Sequence, residues 1–128
     1  MAKSEGHAEV DSITIQFERD QDPDVSWLTD SGRWTNKKDE ASDRKRLAEF
    51  ENGDWHMVGV IAVAELNVDG TVQEIRSGGV WGVESDANKA HLASHAKEEY
   101  DDLVAQLRIL GVKKIPAFKS ARWVRNDY

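Results

Sequence analysis

The 128 residues are 39% apolar and 32% charged, with nine glycines and two prolines, a balance that excludes a fibrous or disordered chain and fits one globular domain with a single core. The absence of cysteine excludes disulfides, thiolate metal centres and cysteine nucleophiles, in keeping with a reducing cytoplasm. The formal net charge of −7 is uneven: residues 113–128 hold Lys113, Lys114, Lys119, Arg122 and Arg125 against Asp127, a net +4, so the first 112 residues sum to −11.

Along the chain, the opening MAKSEGHAEVD has no apolar segment of the kind a secretory leader needs. Residues 11–19 then alternate Ile13, Ile15 and Phe17 with Thr14, Gln16 and Glu18, the period of a strand with one buried face. The acidic cluster Asp20, Asp22 and Asp24 around Pro23 reads as a turn whose carboxylates bond nearby amides. Its spacing, extended to Asp30, lacks the glycine and distal glutamate of a calcium loop. Trp27 and Leu28 are expected to tuck back onto the core, and residues 29–38 to form an exposed loop whose one large apolar group is Trp34. Residues 39–51 read as a surface helix stopped at Asn52-Gly53. Residues 55–66 are apolar on both alternating faces, which predicts a central strand covered on both sides; Gly59 marks a twist or a close backbone approach. Asn67-Val68-Asp69-Gly70 has hairpin-turn chemistry. The return strand begins at residues 71–76 and continues through 80–83 after a bulge at Gly78-Gly79.

Ser85 or Asp86 is the expected N-cap of a long helix. From residue 87 to 110 it would run about 36 Å at 1.5 Å per residue, with Leu92, Ala96, Tyr100, Leu103, Leu107 and Leu110 in one stripe. Gly111 closes it. Residues 113–128 are expected as a basic aromatic tail or an edge strand, since Pro116 disfavours an interior one. The longest apolar run, residues 57–64, is too short to span a bilayer, so no membrane is expected. The predicted architecture is α+β: a three- to four-stranded antiparallel sheet in a single domain over residues 1–112, with the long C-terminal helix on one face. The shorter helix precedes the central strand, and it and the loop aromatics cover part of the other face.

Several segments in order resemble a family of small proteins of bacteriophages, prophages and mobile elements that has no assigned activity. Asp20-Gln-Asp-Pro-Asp-Val-Ser-Trp-Leu28 is similar to its D-D-P-D-x-S-Y/W-L segment. Arg44 to Phe50 followed by Gly53-Asp54-Trp55 resembles its helix-to-strand junction. Ser77-Gly-Gly-Val-Trp-Gly-Val-Glu-Ser-Asp86 resembles its S-G-G-L-W-G-I-E-S-D signature, and Leu103 to Gly111 its leucine-glycine ending. The likeness spans about residues 20–112. It implies a mobile-element setting, in the cytoplasm of a host cell, and an accessory role in binding a host protein, including the components of a defence system; it brings no catalytic residues.

The chemistry-bearing groups offer few motifs. His91 and His95 stand four apart on the long helix, the spacing of metal-binding pairs, with Glu84, Asp86, His56 or Glu98 as candidate third ligands. H-E-x-x-H is absent, and the pair reads as ordinary half-exposed polar residues, so no metal or cofactor is expected. Gly78, Gly79 and Gly82 lack the lysine of a phosphate loop, and Ser77 lies outside a G-x-S-x-G elbow, so no enzyme is expected. Of the five tryptophans, Trp55 and Trp81 are expected in the core. Trp34, in a polar loop, and Trp123, among Arg122 and Arg125, have the composition of interface hot spots. The expected partner surface is therefore Trp34, Arg122, Trp123 and Arg125, with Glu98, Glu99, Asp101 and Asp102 on the helix as a second, acidic face. The alternative is nucleic-acid binding through the basic tail, which the acidic body disfavours. A homodimer is compatible with a long helix beside a small sheet.

Overall fold

A computed structural model describes residues 8–29 and 36–126. Among these described residues, five strands and two helices form an α+β unit: β1 (Ala8–Arg19), α1 (Lys37–Glu51), β2 (Met57–Val68), β3 (Thr71–Arg76), β4 (Val80–Glu84), α2 (Lys89–Ile109) and β5 (Arg122–Asn126). Short 3-10 turns lie at Ser26–Leu28 and Phe118–Ser120.

β2 is central, as its two apolar faces require. Its whole length pairs antiparallel with β1, and its other edge is shared end to end by β4 and β3. β5 completes the sheet beside β1, and it is parallel. The all-antiparallel expectation is therefore corrected to a mixed, five-stranded sheet. The cause lies after α2: residues 112–121 are fastened across the core by Val112, Ile115, Phe118 and Ala121, which delivers the chain to the sheet edge running in the direction of β1. Tyr100 holds this segment by donating its hydroxyl to the Pro116 carbonyl at 2.7 Å and meeting Phe118 edge-on.

One face of β2 (Val58, Val60, Ala62, Ala64, Leu66) joins Ile13, Ile15 and Phe17 of β1 and Ala96, Leu103 and Leu107 of α2 in the main core. Fully burying a side chain of this size contributes about 1.5–3 kcal/mol. On the opposite face Met57, Trp55 and Leu28 form a second cluster, with Trp27, Leu47 and Phe50 packed on it, so the tuck of Trp27-Leu28 and the covering role of α1 are as expected. Trp55 lies just before β2 rather than inside it and is still buried.

The β2–β3 hairpin turns on Asp69 and Gly70, both at positive φ (53° and 88°), the type I′ geometry that Asp-Gly favours. The return strand is broken as expected: residues 61–62 of β2 face residues 77–79 opposite, one residue too many, between the Val63–Arg76 and Val60–Val80 pairs. A second irregularity sets Gly59 opposite Trp81 and Gly82. A Cβ on Gly59 would stand 2.5 Å from the Trp81 ring, so this glycine makes room for the indole. Trp81 is half exposed, a correction to its expected core position: the indole lies flat on the backbone of β2 with its outer side open.

α2 begins at Lys89, capped by Asn88, whose side chain accepts from the His91 amide at 2.8 Å. Neither Ser85 nor Asp86 caps it, because both have other bonds. The Ser85 hydroxyl accepts from the His56 amide at 2.8 Å, and Asp86 pairs with Arg46. The helix ends in a Schellman motif, Val112 N–H to the Leu107 carbonyl and Gly111 N–H to Arg108, with Gly111 at φ 87°. Leu110, expected in the buried stripe, is exposed at the C-cap.

Candidate functional site

The sequence motif at residues 77–79 is a clamp between sheet and helix. Glu99 of α2 accepts from the Ser77 hydroxyl and from the Gly79 amide, both at 2.7 Å, and Asp102 accepts from the Gly78 amide at 2.9 Å. The Ser77 hydroxyl in turn accepts from the Ala62 amide at 2.9 Å. Gly79 sits at φ 86°, which turns its N–H toward the helix carboxylate, and a side chain there would also press on Ile61. The serine hydroxyl is thus bonded on both sides by structural partners, an arrangement for holding a bulge rather than for nucleophilic attack.

This clamp divides the expected acidic face of α2. Glu99 and Asp102 turn inward to the bulge, while Glu98 and Asp101 face outward. Asp101 pairs with Lys97 at 2.7 Å, and Glu98 approaches His95 Nδ1 at 3.5 Å.

Arg46 of α1 makes a second tie. Its guanidinium grips both Asp86 oxygens at 2.6 Å, donates to Glu84 at 2.8 Å and stacks 3.7 Å above the Trp55 ring. The Trp55 indole N–H donates to the Arg46 carbonyl at 3.0 Å. The fork-shaped hydrogen bonds from Arg46 hold the Asp86 carboxyl below the usual carboxylate range. In the acidic turn, Asp24 caps Ser26, and the hydrogen bonds from Ser26 lower its carboxyl likewise. Asp20 accepts from the Asp22 amide, so these carboxylates act as turn formers.

Of the expected partner surface, Trp34 lies outside the described residues. Trp123 and Arg125 alternate onto the face of the sheet that carries α2, and Arg122 falls on the other face, so the three do not form one patch. The tail is an edge strand: Trp123 aligns with Ile15 and Arg125 with Phe17. Trp123 is 37% exposed and packs against Phe17 with ring centroids 5.3 Å apart. Between β5 and the first turns of α2 lies a groove of about 430 Å³, with Phe17, Leu92 and Trp123 as its apolar lining and Asp86, Lys89 and Arg125 as its charged one. Phe17, Lys89 and Leu92 carry no site signal in the sequence. They meet only because β5 returns to β1, a long-range pairing that residue spacing does not encode. A second hollow, about 390 Å³, lies between the acidic turn and the end of α1 and is mainly polar.

On α2, His91 and His95 bring their Nε2 atoms within 3.2 Å of each other, with the rings at 84°. No cluster of three metal-ligating side chains occurs among the described residues, and no helix among them is long and apolar enough to cross a membrane. No family model, curated protein or solved structure matches the chain.

Proposed function

We propose that this chain is a non-enzymatic binding protein and that the groove between β5 and α2 receives its partner. The observation that carries this reading is Trp123, an indole left more than a third exposed at the mouth of an apolar groove, with Lys89 and Arg125 beside it. Aromatic anchors flanked by cations at the margin of an apolar hollow are the composition of protein-interface hot spots. The partner of matching chemistry is a protein that places an apolar side chain in the groove and acidic side chains near Lys89 and Arg125. The resemblance to mobile-element proteins suggests a host protein in that role, including a component of a defence system.

Affinity capture from a host lysate tests this, with the intact chain and a Trp123→Ala variant run side by side. Capture of one protein that survives nuclease treatment and is lost in the variant is the expected result. Capture of nothing, or of the same proteins by both, overturns the assignment of the groove. The alternative, single-stranded nucleic acid stacked on Trp123 beside Arg125, predicts capture abolished by nuclease and weakened steeply by salt; the −11 charge of residues 1–112 opposes it.

A further inference from the structure

We propose that His91 and His95 form a two-histidine site for a borderline divalent transition ion, zinc, nickel(II) or copper(II), with Glu98 setting the tautomer of His95. Helical spacing alone brings many histidine pairs to one side of a helix without aiming them at a common point. Here the two Nε2 atoms converge to 3.2 Å. Two imidazole nitrogens at about 2.0–2.1 Å from one zinc ion, at a tetrahedral angle, stand about 3.3–3.4 Å apart. The two nitrogens now share a hydrogen bond; an ion at ligand distance from both needs them to part by only about 0.1–0.2 Å, with that bond given up and its proton carried on Nδ1. The helix that carries them runs 21 residues and is anchored by the buried Ala96, Leu103 and Leu107, so the spacing is held by a rigid element.

The opposite edge of His95 supplies an independent observation. For both Nε2 lone pairs to face an ion, each ring must carry its proton on Nδ1. His95 Nδ1 is buried and has no hydrogen-bond partner among the described residues, and a Glu98 carboxylate oxygen lies 3.5 Å away. A proton on that nitrogen gives Glu98 a donor after a shift of a few tenths of an ångström. This is the carboxylate–histidine–metal relay by which outer groups orient a ligating imidazole. Imidazole ligands suit zinc, nickel and copper over calcium or magnesium. With two protein ligands, the remaining coordination positions fall to water and are exchangeable.

The site is independent of the Trp123 groove, and its test is direct. Isothermal titration of the untagged chain with nickel chloride and with zinc chloride, in a non-coordinating buffer at neutral pH, is expected to show one ion per chain. His91→Ala and His95→Gln are each expected to weaken binding by more than tenfold, and Glu98→Gln by about tenfold, the lower end of what removing an outer-shell partner costs. His91 is exposed, so the His91→Ala chain retains its fold, checked by circular dichroism. Nitrogen chemical shifts of the two imidazoles should move on zinc addition, with Nε2 the ligating atom in both. No binding at millimolar ion overturns the proposal, as does equal affinity in the His91→Ala/His95→Gln double variant, which would place the ion elsewhere.

Discussion

Removing Arg46 tests whether α1 is held to the sheet–helix junction by one guanidinium. In Arg46→Ala the protein loses a bidentate grip on Asp86 at 2.6 Å, a bond to Glu84 at 2.8 Å and a stacking contact 3.7 Å above Trp55. Hydrogen bonds between charged groups contribute about 1.5–3 kcal/mol. Because the Asp86 side chain is 47% exposed, solvent screening reduces the pair toward the lower part of that range. A guanidinium that is itself 25% exposed, stacked on the buried Trp55 indole, adds about 0.5–1 kcal/mol. A loss of about 2 kcal/mol is expected, a fall in melting temperature of roughly 6–10 °C for a domain of this size. Urea unfolding of wild type, Arg46→Ala, Asp86→Ala and the double variant gives the coupling directly. Arg46→Lys should recover only part of the loss, because an ammonium can neither fork onto a carboxylate nor stack as a plane.

The pH dependence has a definite sign. The Asp86 carboxyl is held below its ordinary 3.8 in the folded chain, so its contribution is present above that pH and is lost as the pH falls through the lowered folded value. The gap between wild type and Arg46→Ala should therefore narrow below about pH 4 and stay constant from pH 5 to 8. A loss under 0.5 kcal/mol, or a coupling near zero with Asp86, would refute the role given to this contact.

Two further substitutions address the broken return strand. Glu99→Ala leaves the Ser77 hydroxyl and the Gly79 amide without their acceptor, each bonded to it at 2.7 Å, and is expected to cost about 1–3 kcal/mol in urea unfolding; Glu99→Gln, which keeps a side-chain carbonyl, should cost less. In Gly59→Ala the new methyl group meets the Trp81 ring at 2.5 Å, so the indole must leave the sheet. About 1–3 kcal/mol of destabilisation is expected, with a change in indole resonances centred on Trp81, and unchanged indole signals would refute the contact.

The elements most legible in the sequence were those governed by local rules. β2 was readable from its two apolar faces, the hairpin from Asp69-Gly70, and the end of α2 from Gly111. The start of α2 is not legible in the sequence, because Ser85 and Asp86 are both good caps by residue type. Neighbours distant in sequence, His56 and Arg46, had already engaged them, leaving Asn88 to cap the helix. The apolar bulk of Trp81 points to the core, although Gly59 opposite is the available sign that its ring lies on the backbone instead. Glu99 and Asp102 read as part of an outward acidic partner face because nothing in the helical period shows that the amides of Gly78 and Gly79 turn toward them.

The amino-acid order by itself determined most of the core, Trp81 and Leu110 excepted, together with the central strand, the two helices and the positions of the turns. Each follows from periodicity or from a residue's own backbone preferences, which act over a few neighbours. The tertiary structure alone decided the parallel placement of β5, the groove beside Trp123, the Arg46 junction, the carboxylate clamp on the bulge and the convergence of His91 and His95. The pairing of β5 and the two carboxylate contacts join groups from 20 to more than 100 residues apart, where burial and hydrogen-bond satisfaction across the whole fold, rather than local preference, select the partner. The two histidines are near in sequence, but the meeting of their ring nitrogens depends on side-chain orientation, which spacing along a helix leaves open.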